Sequence, residues 1–347
     1  MRVRPVRTTD LDDLIRLSAK AGKGLTSLPS DRARLAARID HAERTFKGHN
    51  VYGEGDFLFV LETDDNQVIG MCGLMDAVGI QAPWYNYRVS LSVASSDTLG
   101  VIKHQEILMR SNDLTGKSEL CSLFLDPDFR GGQAGRLLSK SRLLFVAHHP
   151  ERFGDSLVAE LRGVSDDTGR SPFWESLGRH FFDMTFSDAD WLTGTGNKRF
   201  IAELMPRYPI YTTYLSDEAR AAIAQVHPDT QSARRLLEQE GFHYNHHIDI
   251  FDAGPALECP LDRLRLVNDR VSVTLATLEG SVKSTLAEPF LVLAGELDHC
   301  RMTTALAYMK DETLFVDDDT LRRLECLTGA TVSAAPLAAT RQHRSVS

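Results

Sequence analysis

The apolar positions change period along the chain, and the changes mark out its elements. Residues 3–6 read as a strand. Thr8, Thr9 and Asp10 are candidate caps of a helix with Leu11, Leu14, Ile15 and Ser18 on one face. A second helix, capped at Ser30-Asp31, lines up Leu35, Ile39, Ala42 and Phe46. Residues 57–62 and 68–78 are strands around a turn at Asp64-Asp65-Asn66.

Residues 120–145 carry the densest signal. An apolar run over 120–125 has the length of a buried strand. Asp126-Pro127-Asp128 stops it, because proline cannot donate to a ladder. Arg130-Gly131-Gly132-Gln133-Ala134-Gly135 is a small-residue turn. A helix follows, with Leu137 and Leu144, and Leu138 and Phe145, recurring on one face. A strand, a small-residue turn and a helix N-terminus together make an anion site: backbone N–H groups can approach a phosphate, and the helix dipole favours negative charge. The turn does not follow a first strand, since roughly four strands precede it. It is not a Walker loop, for no Gly-Lys-Ser/Thr occurs.

Beyond it, residues 157–164 read as a strand that holds Glu160 and Arg162 among apolar neighbours. Such charges either face a cleft, where a carboxylate meets a cationic substrate, or pair at a strand edge. Residues 171–178 form a short helix ending in Gly178, and residues 180–186 an aromatic strand. Thr193-Gly194-Thr195-Gly196 is a tight loop. A helix capped at Ser216-Asp217 runs through Ala219, Ala222, Ile223 and Val226 to His227, where Pro228 disfavours the α conformation. From residue 267 the pattern is β-rich, and residues 334–347 are a polar, fraying tail. The expected division is a core over 1–186, a second helical and strand module over 187–262 that carries His227, and a β-rich region over 263–347.

Composition adds mainly exclusions. The 347 residues are 42% apolar and 25% charged, as in an ordinary globular chain. A net charge of −9 argues against a nucleic-acid partner. Cys72, Cys121, Cys259, Cys300 and Cys326 are scattered and odd in number, which fits a reducing compartment. No apolar run reaches membrane-span length, and the first ten residues lack the apolar core of a signal peptide, so a cytoplasmic protein is expected. His243, His246 and His247 lack ligand spacing, and no metal site is expected. Cys121, early in an apolar strand, reads as an inert thiol rather than a nucleophile. The aromatic stretch at 83–88 either lines a pocket or packs in the core.

The strand, turn and helix order resembles the acyl-CoA N-acyltransferase (GNAT) superfamily, in which an R-x-x-G-x-G/A turn holds the CoA pyrophosphate. Arg130 and Gly135 match that pattern, and Gln133 departs from it. Several phrases further resemble one family, arginine N-succinyltransferase: GLTSLP at 24–29, PWYNYRV at 83–89, LFLDP at 123–127, LSKSR at 138–142, SPFW at 171–174, FIAELMP at 200–206, QVHP at 225–228 and IDIFD at 248–252. The resemblance implies an α/β (α+β) mixed sheet with a GNAT-like core. It implies succinyl transfer from succinyl-CoA, a co-substrate rather than a tightly bound cofactor, to the α-amine of L-arginine. Leu125 falls on the family's succinyl-CoA contact and His227 on its proton-donor position. Arg130, Gly131, Gly132, Gln133, Ala134 and Gly135 would hold the pyrophosphate, and residues 24–29 would border the acceptor. An enzyme of this kind often self-associates. On the residues alone Leu125 is equally a core leucine, and His227 a histidine complementing a helix dipole. Ornithine as acceptor, another acyl-CoA, and a sensor without turnover remain alternatives.

Overall fold

The structure, a computed structural model, describes residues 1–21, 28, 31–194, 199–278 and 287–338. Chain order gives β1 (Arg2–Pro5), α1 (Leu11–Ala21), α2 (Arg32–Phe46), β2 (Asp56–Glu62), β3 (Val68–Met75), β4 (Asn86–Ser96), β5 (Val101–Ser111), β6 (Ser118–Leu125), α3 (Ala134–His148) and β7 (Ser156–Glu160). Then come α4 (Arg179–Phe182), α5 (Phe186–Gly194), α6 (Arg199–Leu204), β8 (Ile210–Tyr211), α7 (Asp217–Ala222), α8 (Gln231–Gln239), β9 (His243–Asp249) and β10 (Pro255–Pro260). The chain closes with α9 (Arg265–Asp269), β11 (Val271–Thr277), β12 (Glu288–Ala294), β13 (Arg301–Lys310), β14 (Thr313–Val316), α10 (Asp318–Leu324) and β15 (Thr331–Pro336).

The fold is mixed α/β, as expected. Its central sheet runs β1-β2-β3-β6-β7-β10-β9-β4-β5-β8 and is antiparallel except between β6 and β7. At the other edge β1 joins β13 at Val3↔Met302. There β12, β15, β11, β14 and β13 pair in turn, and β13 returns to β12, so the C-terminal strands close into a small barrel. Closure of this kind removes strand edges. The barrel is filled by side chains such as Val273, Leu275, Val292, Leu314 and Val332.

The helical faces read from the sequence are the buried ones. Leu35, Ile39, Ala42 and Phe46 of α2 are buried, and the Asp31 carboxylate caps that helix by accepting from the Arg34 N–H at 3.0 Å. Phe46, Phe57, Phe59 and Phe145 meet edge to face or tilted, with centroids 5.0–6.0 Å apart, and weld α2 and α3 onto the sheet. Among the described residues, no helix is long and apolar enough to cross a membrane.

Several local expectations need correction. Residues 180–186 are not a strand. Phe182 ends α4, Asp183 turns left-handed at φ 49° and Phe186 opens α5; both rings pack on Trp174, and their even spacing had the look of one face of a strand. The helix before His227 stops at Ala222. Ala224 turns left-handed at φ 58° and donates its N–H to the Ala253 carbonyl instead. Thr193 and Gly194 lie in α5, while residues 195–196 fall outside the described residues. Residues 334–336 are not frayed but belong to β15, between β11 and β12. Of the expected acceptor-side loop at 24–29, only Leu28 is described, and it is buried. Six strands, not four, lead to the small-residue turn, because residues 86–111 form a long hairpin.

Candidate active site

The site begins where two parallel strands part. β6 and β7 pair at Ser118↔Leu157 and Glu119↔Val158. β6 then continues to Leu125, while β7 stays with β10 as far as Glu160↔Ala256. The cause lies on the other side of β6. Against β3, Cys121 pairs with Gly73 and Phe124 with Met71, so two residues oppose one. Ser122 sits in this bulge at φ 55°. A bulge bends its strand, and here β6 swings off β7. Buried Arg142 of α3 steadies the bend by donating to the Cys121 carbonyl at 3.1 Å, and Arg38 donates to Ser122 Oγ at 2.9 Å. Beyond Glu119 the edge of β6 that faced β7 has no paired strand among the described residues, and an extended ligand can pair with such an edge as an added strand.

At the far end of β6 the chain turns into α3. Leu125 packs partly on the core and pairs with Gly70 of β3. Asp126 caps the turn, accepting from the Asp128 N–H at 3.2 Å, and Lys20 of α1 donates to both Asp126 and Asp128 at 2.7–2.9 Å. Burial pushes the Asp126 carboxyl up, but Lys20 and the Asp128 N–H outweigh it and hold it below the usual range. This clasp had no sequence signature, since its members lie about a hundred positions apart. Gly131 has φ +88°, a conformation side chains rarely adopt. A Cβ added to Gly131 or Gly132 would meet nothing within 4 Å, and one on Gly135 only Leu125 Cδ2 at 3.8 Å. The room they leave is therefore on the open side of the turn. Gln133 offers α3 no side-chain cap, and the helix's first backbone bond runs from Leu137 N–H to Gln133 O at 2.9 Å. The N–H groups ahead of Leu137 in the first turn thus have no partner within the helix. Arg130 is exposed, with Nε 3.4 Å from the Leu125 carbonyl.

The other wall of the notch is β7 together with the segment after it. The N–H of His227 donates to the Arg162 carbonyl at 2.9 Å, which sets the histidine just past the end of β7. Its φ of −55° and ψ of 143° are the extended values that Pro228 demands. The ring is 15% exposed, and Nδ1 accepts from the Asp229 N–H at 3.2 Å. Burial, then the Arg162 charge, lower its pKa against the weaker opposing pull of Asp229 and Asp167. The ring is therefore neutral near pH 7, with its proton on Nε2. The helix-dipole reading does not fit, because His227 caps the start of a short 3₁₀ turn rather than the end of a helix.

Glu160 and Arg162 differ. Glu160 accepts from Asn86 Nδ2 of β4 at 2.5 Å, and Arg162 donates to Ser165 Oγ at 2.8 Å. A cleft of about 590 Å³ opens next to that segment, lined among others by Ser165, Asp166, Arg170, Glu175, Ser216 and Glu218. Asp249 instead serves its own turn, accepting from the Phe251 and Asp252 N–H groups at 2.7 and 2.9 Å. Its neighbour Asp252 has its carboxyl raised by burial and by the Asp249 charge. Tyr87 and Trp84 are buried, so most of the aromatic stretch is core. Burial pushes the Cys121 thiol up to about 12, which rules it out as a ready nucleophile.

The arginine N-succinyltransferase beta-subunit family model matches residues 1–266. The chain belongs to the arginine N-succinyltransferase family. An arginine N-succinyltransferase subunit beta from Pseudomonas aeruginosa is 49% identical over 342 residues, covering 99% of this chain and all of that one. The arginine N-succinyltransferase of Escherichia coli is 47% identical over 340 residues, 98% of each chain. Among solved structures, the arginine/ornithine succinyltransferase subunit AI from P. aeruginosa superposes with a TM-score of 0.87 at 32% identity, covering 97% of this chain and 99% of that one. The family match ends close to where the C-terminal barrel begins, whereas the relatives and the solved structure extend through it.

Proposed function

We propose that this chain transfers the succinyl group of succinyl-CoA to the α-amine of L-arginine, giving N2-succinylarginine and free CoA. The observation that carries the reading is the notch between β6 and β7, with the small-residue turn following one wall and His227 on the other, in a member of this family. Pantetheine lies along β6 as an added strand, with Leu125 as its main-chain contact. The pyrophosphate rests on the first turn of α3 among Arg130, Gly131, Gly132, Gln133, Ala134 and Gly135. This directs the thioester along β6 toward the end of β7.

An α-amine with a pKa near ~8 is mostly charged at neutral pH and must lose a proton before it attacks the thioester carbon. A main-chain N–H on the edge of β6 holds the resulting oxyanion. The C–S bond then breaks, and the departing thiolate, with a pKa near ~8.5, gains a proton. The neutral His227 ring takes up the proton that the amine loses, and the imidazolium so formed gives its Nε2 proton to the sulfur, which leaves the ring neutral again. Glu160, half-buried at the end of β7, is the carboxylate placed to receive the acceptor's positive charge. CoA is consumed and released as a co-substrate, so no resident cofactor is needed. We place the protein in the cytoplasm, where its five free thiols remain reduced.

Thiol release from succinyl-CoA plus L-arginine, followed colorimetrically, tests the reading. Release well above a no-acceptor control is expected, and no release overturns it. Ornithine is run alongside, because the similar solved structure is described as an arginine/ornithine enzyme.

A further inference from the structure

Far from the notch, the C-terminal end of α3 brings together two imidazoles and a carboxylate. His148 is the last residue of α3, and His149 leaves the helix at φ −125°, ψ 53°. Successive residues of a continuous helix would point about 100° apart. The break lets both rings turn to one side, with centroids 4.5 Å apart and planes at 80°. Glu296 arrives from the turn between β12 and β13, 148 positions away. That turn depends on Gly295 at φ +77°, where a Cβ would lie 2.6 Å from the His299 carbonyl. His148 Nε2 lies 3.1 Å from Glu296 Oε1, and His149 Nε2 lies 3.6 Å from Oε2. One ligand atom from each residue falls within 4.8 Å of the others.

The outer atoms orient these donors. His148 Nδ1 is 2.7 Å from Ser333 Oγ, which also accepts from Arg270 Nη1 at 3.0 Å. With Nδ1 donating to that oxygen, the Nε2 lone pair is the one that faces Glu296. His149 has Nδ1 3.8 Å from Glu151 Oε1. Its side chain is only 8% exposed, and Nε2 is buried with no hydrogen-bond partner among the described residues. An orphaned buried nitrogen aimed at a carboxylate calls for an explanation.

We propose that His148, His149 and Glu296 bind a borderline divalent transition ion, zinc first, with water as the fourth ligand. Two imidazoles and one carboxylate are a known zinc donor set, with the remaining position left to solvent. Legs of ~2.0–2.1 Å around a tetrahedral ion separate the donors by about 3.3–3.4 Å. The observed 3.1 and 3.6 Å, measured to the two oxygens of the one carboxylate, lie near that spacing, and closing the group on an ion draws in donor atoms that now lie within 4.8 Å of one another. Ser333 is an outer hydrogen-bond partner of the kind such histidines require. The fifteen residues of α3 put the ion about 20 Å from the small-residue turn. Its role is thus structural: it fastens the end of α3 to the C-terminal barrel.

The full chain, stripped with a chelator and dialysed against dilute Zn²⁺, is assayed for metal content, for affinity against a chromophoric chelator, and for melting temperature. We expect one zinc per chain and a higher melting temperature with zinc present. Affinity should fall at least tenfold in Glu296→Gln and further in His149→Gln. Glu296 is 73% exposed, so its variant folds even where His149→Gln does not. Co²⁺ in place of zinc should give tetrahedral visible bands in the wild type that Glu296→Gln alters. Sub-stoichiometric zinc, or affinity unchanged in Glu296→Gln, overturns the assignment; the latter would mean an ion bound elsewhere.

Discussion

At the residue scale, His227 is held at two points, its main-chain N–H on Arg162 and its Nδ1 on the Asp229 N–H, which leaves Nε2 for chemistry. Replacing it with alanine should lower kcat by roughly 10²–10⁴-fold, the usual worth of a proton-transfer group. The KM for succinyl-CoA should stay within about twofold, because CoA is held by the strand and turn of the opposite wall. Steady-state kinetics check both, and a rise in KM with kcat preserved would remove His227 from the chemistry. The pH dependence carries a sign as well. A histidine whose pKa is lowered stays neutral down to more acidic pH, so the acid limb of kcat/KM should lie below ~6.5. As pH falls through it, Nδ1 is protonated and can no longer accept from Asp229. Arg162→Gln removes a positive neighbour and should move the limb upward; a limb that moves down or stays put contradicts the assignment.

At the scale of elements, the segment after β7 is held in place by contacts that only glycine permits. A Cβ on Gly254 would lie 2.0 Å from the Leu161 carbonyl and 2.6 Å from the Gly163 N. Gly163 in turn donates its N–H to Asp252 Oδ2 at 2.7 Å. Gly254→Ala should therefore destabilise the fold by about 3 kcal/mol through overpacking, and drag the Arg162 carbonyl off the His227 N–H. Gly131→Ala meets open space and carries only the left-handed backbone cost of about 1 kcal/mol. Urea unfolding of the two variants distinguishes them, and equal losses would refute the packing argument. α3 belongs to the same scale. Its first turn faces the proposed pyrophosphate and its last turn the proposed zinc, so one rigid rod ties the notch to the barrel.

At the scale of the molecule, the outer half of the β4–β5 hairpin has no further strand beside it among the described residues. Cross-strand register puts Leu91, Val93 and Ile102 on one face, and Leu91 and Ile102 are 62% and 67% exposed. Leu99 is exposed at its turn. An apolar face of this kind marks an interaction surface. We propose a second copy of this chain as the occupant of this face. Light scattering on the purified protein should give a dimer, and an Ile102→Lys, Leu99→Lys double variant should give a folded monomer. A wild-type monomer at every concentration would end that reading.

The sequence by itself determined the local pieces. The faces of α1 and α2, the strand over 120–125, and the turn from Arg130 to Gly135 are set by interactions within a few residues, where side-chain period and the conformations of glycine and proline decide. The phrases at 123–127 and 225–228 went further and pointed to the family. Phe182 and Phe186 show where local reading fails: helix and strand could both present them, and packing on Trp174 chose. Only the tertiary structure decided the rest. A bulge opposite Cys72 opens the notch, β7 carries His227 to its far wall, and a barrel closing on itself brings Glu296 to His148 and His149. Each of these depends on residues tens to hundreds of positions apart. Such contacts leave no period along the chain, because they come from how its elements stack rather than from how any one of them forms.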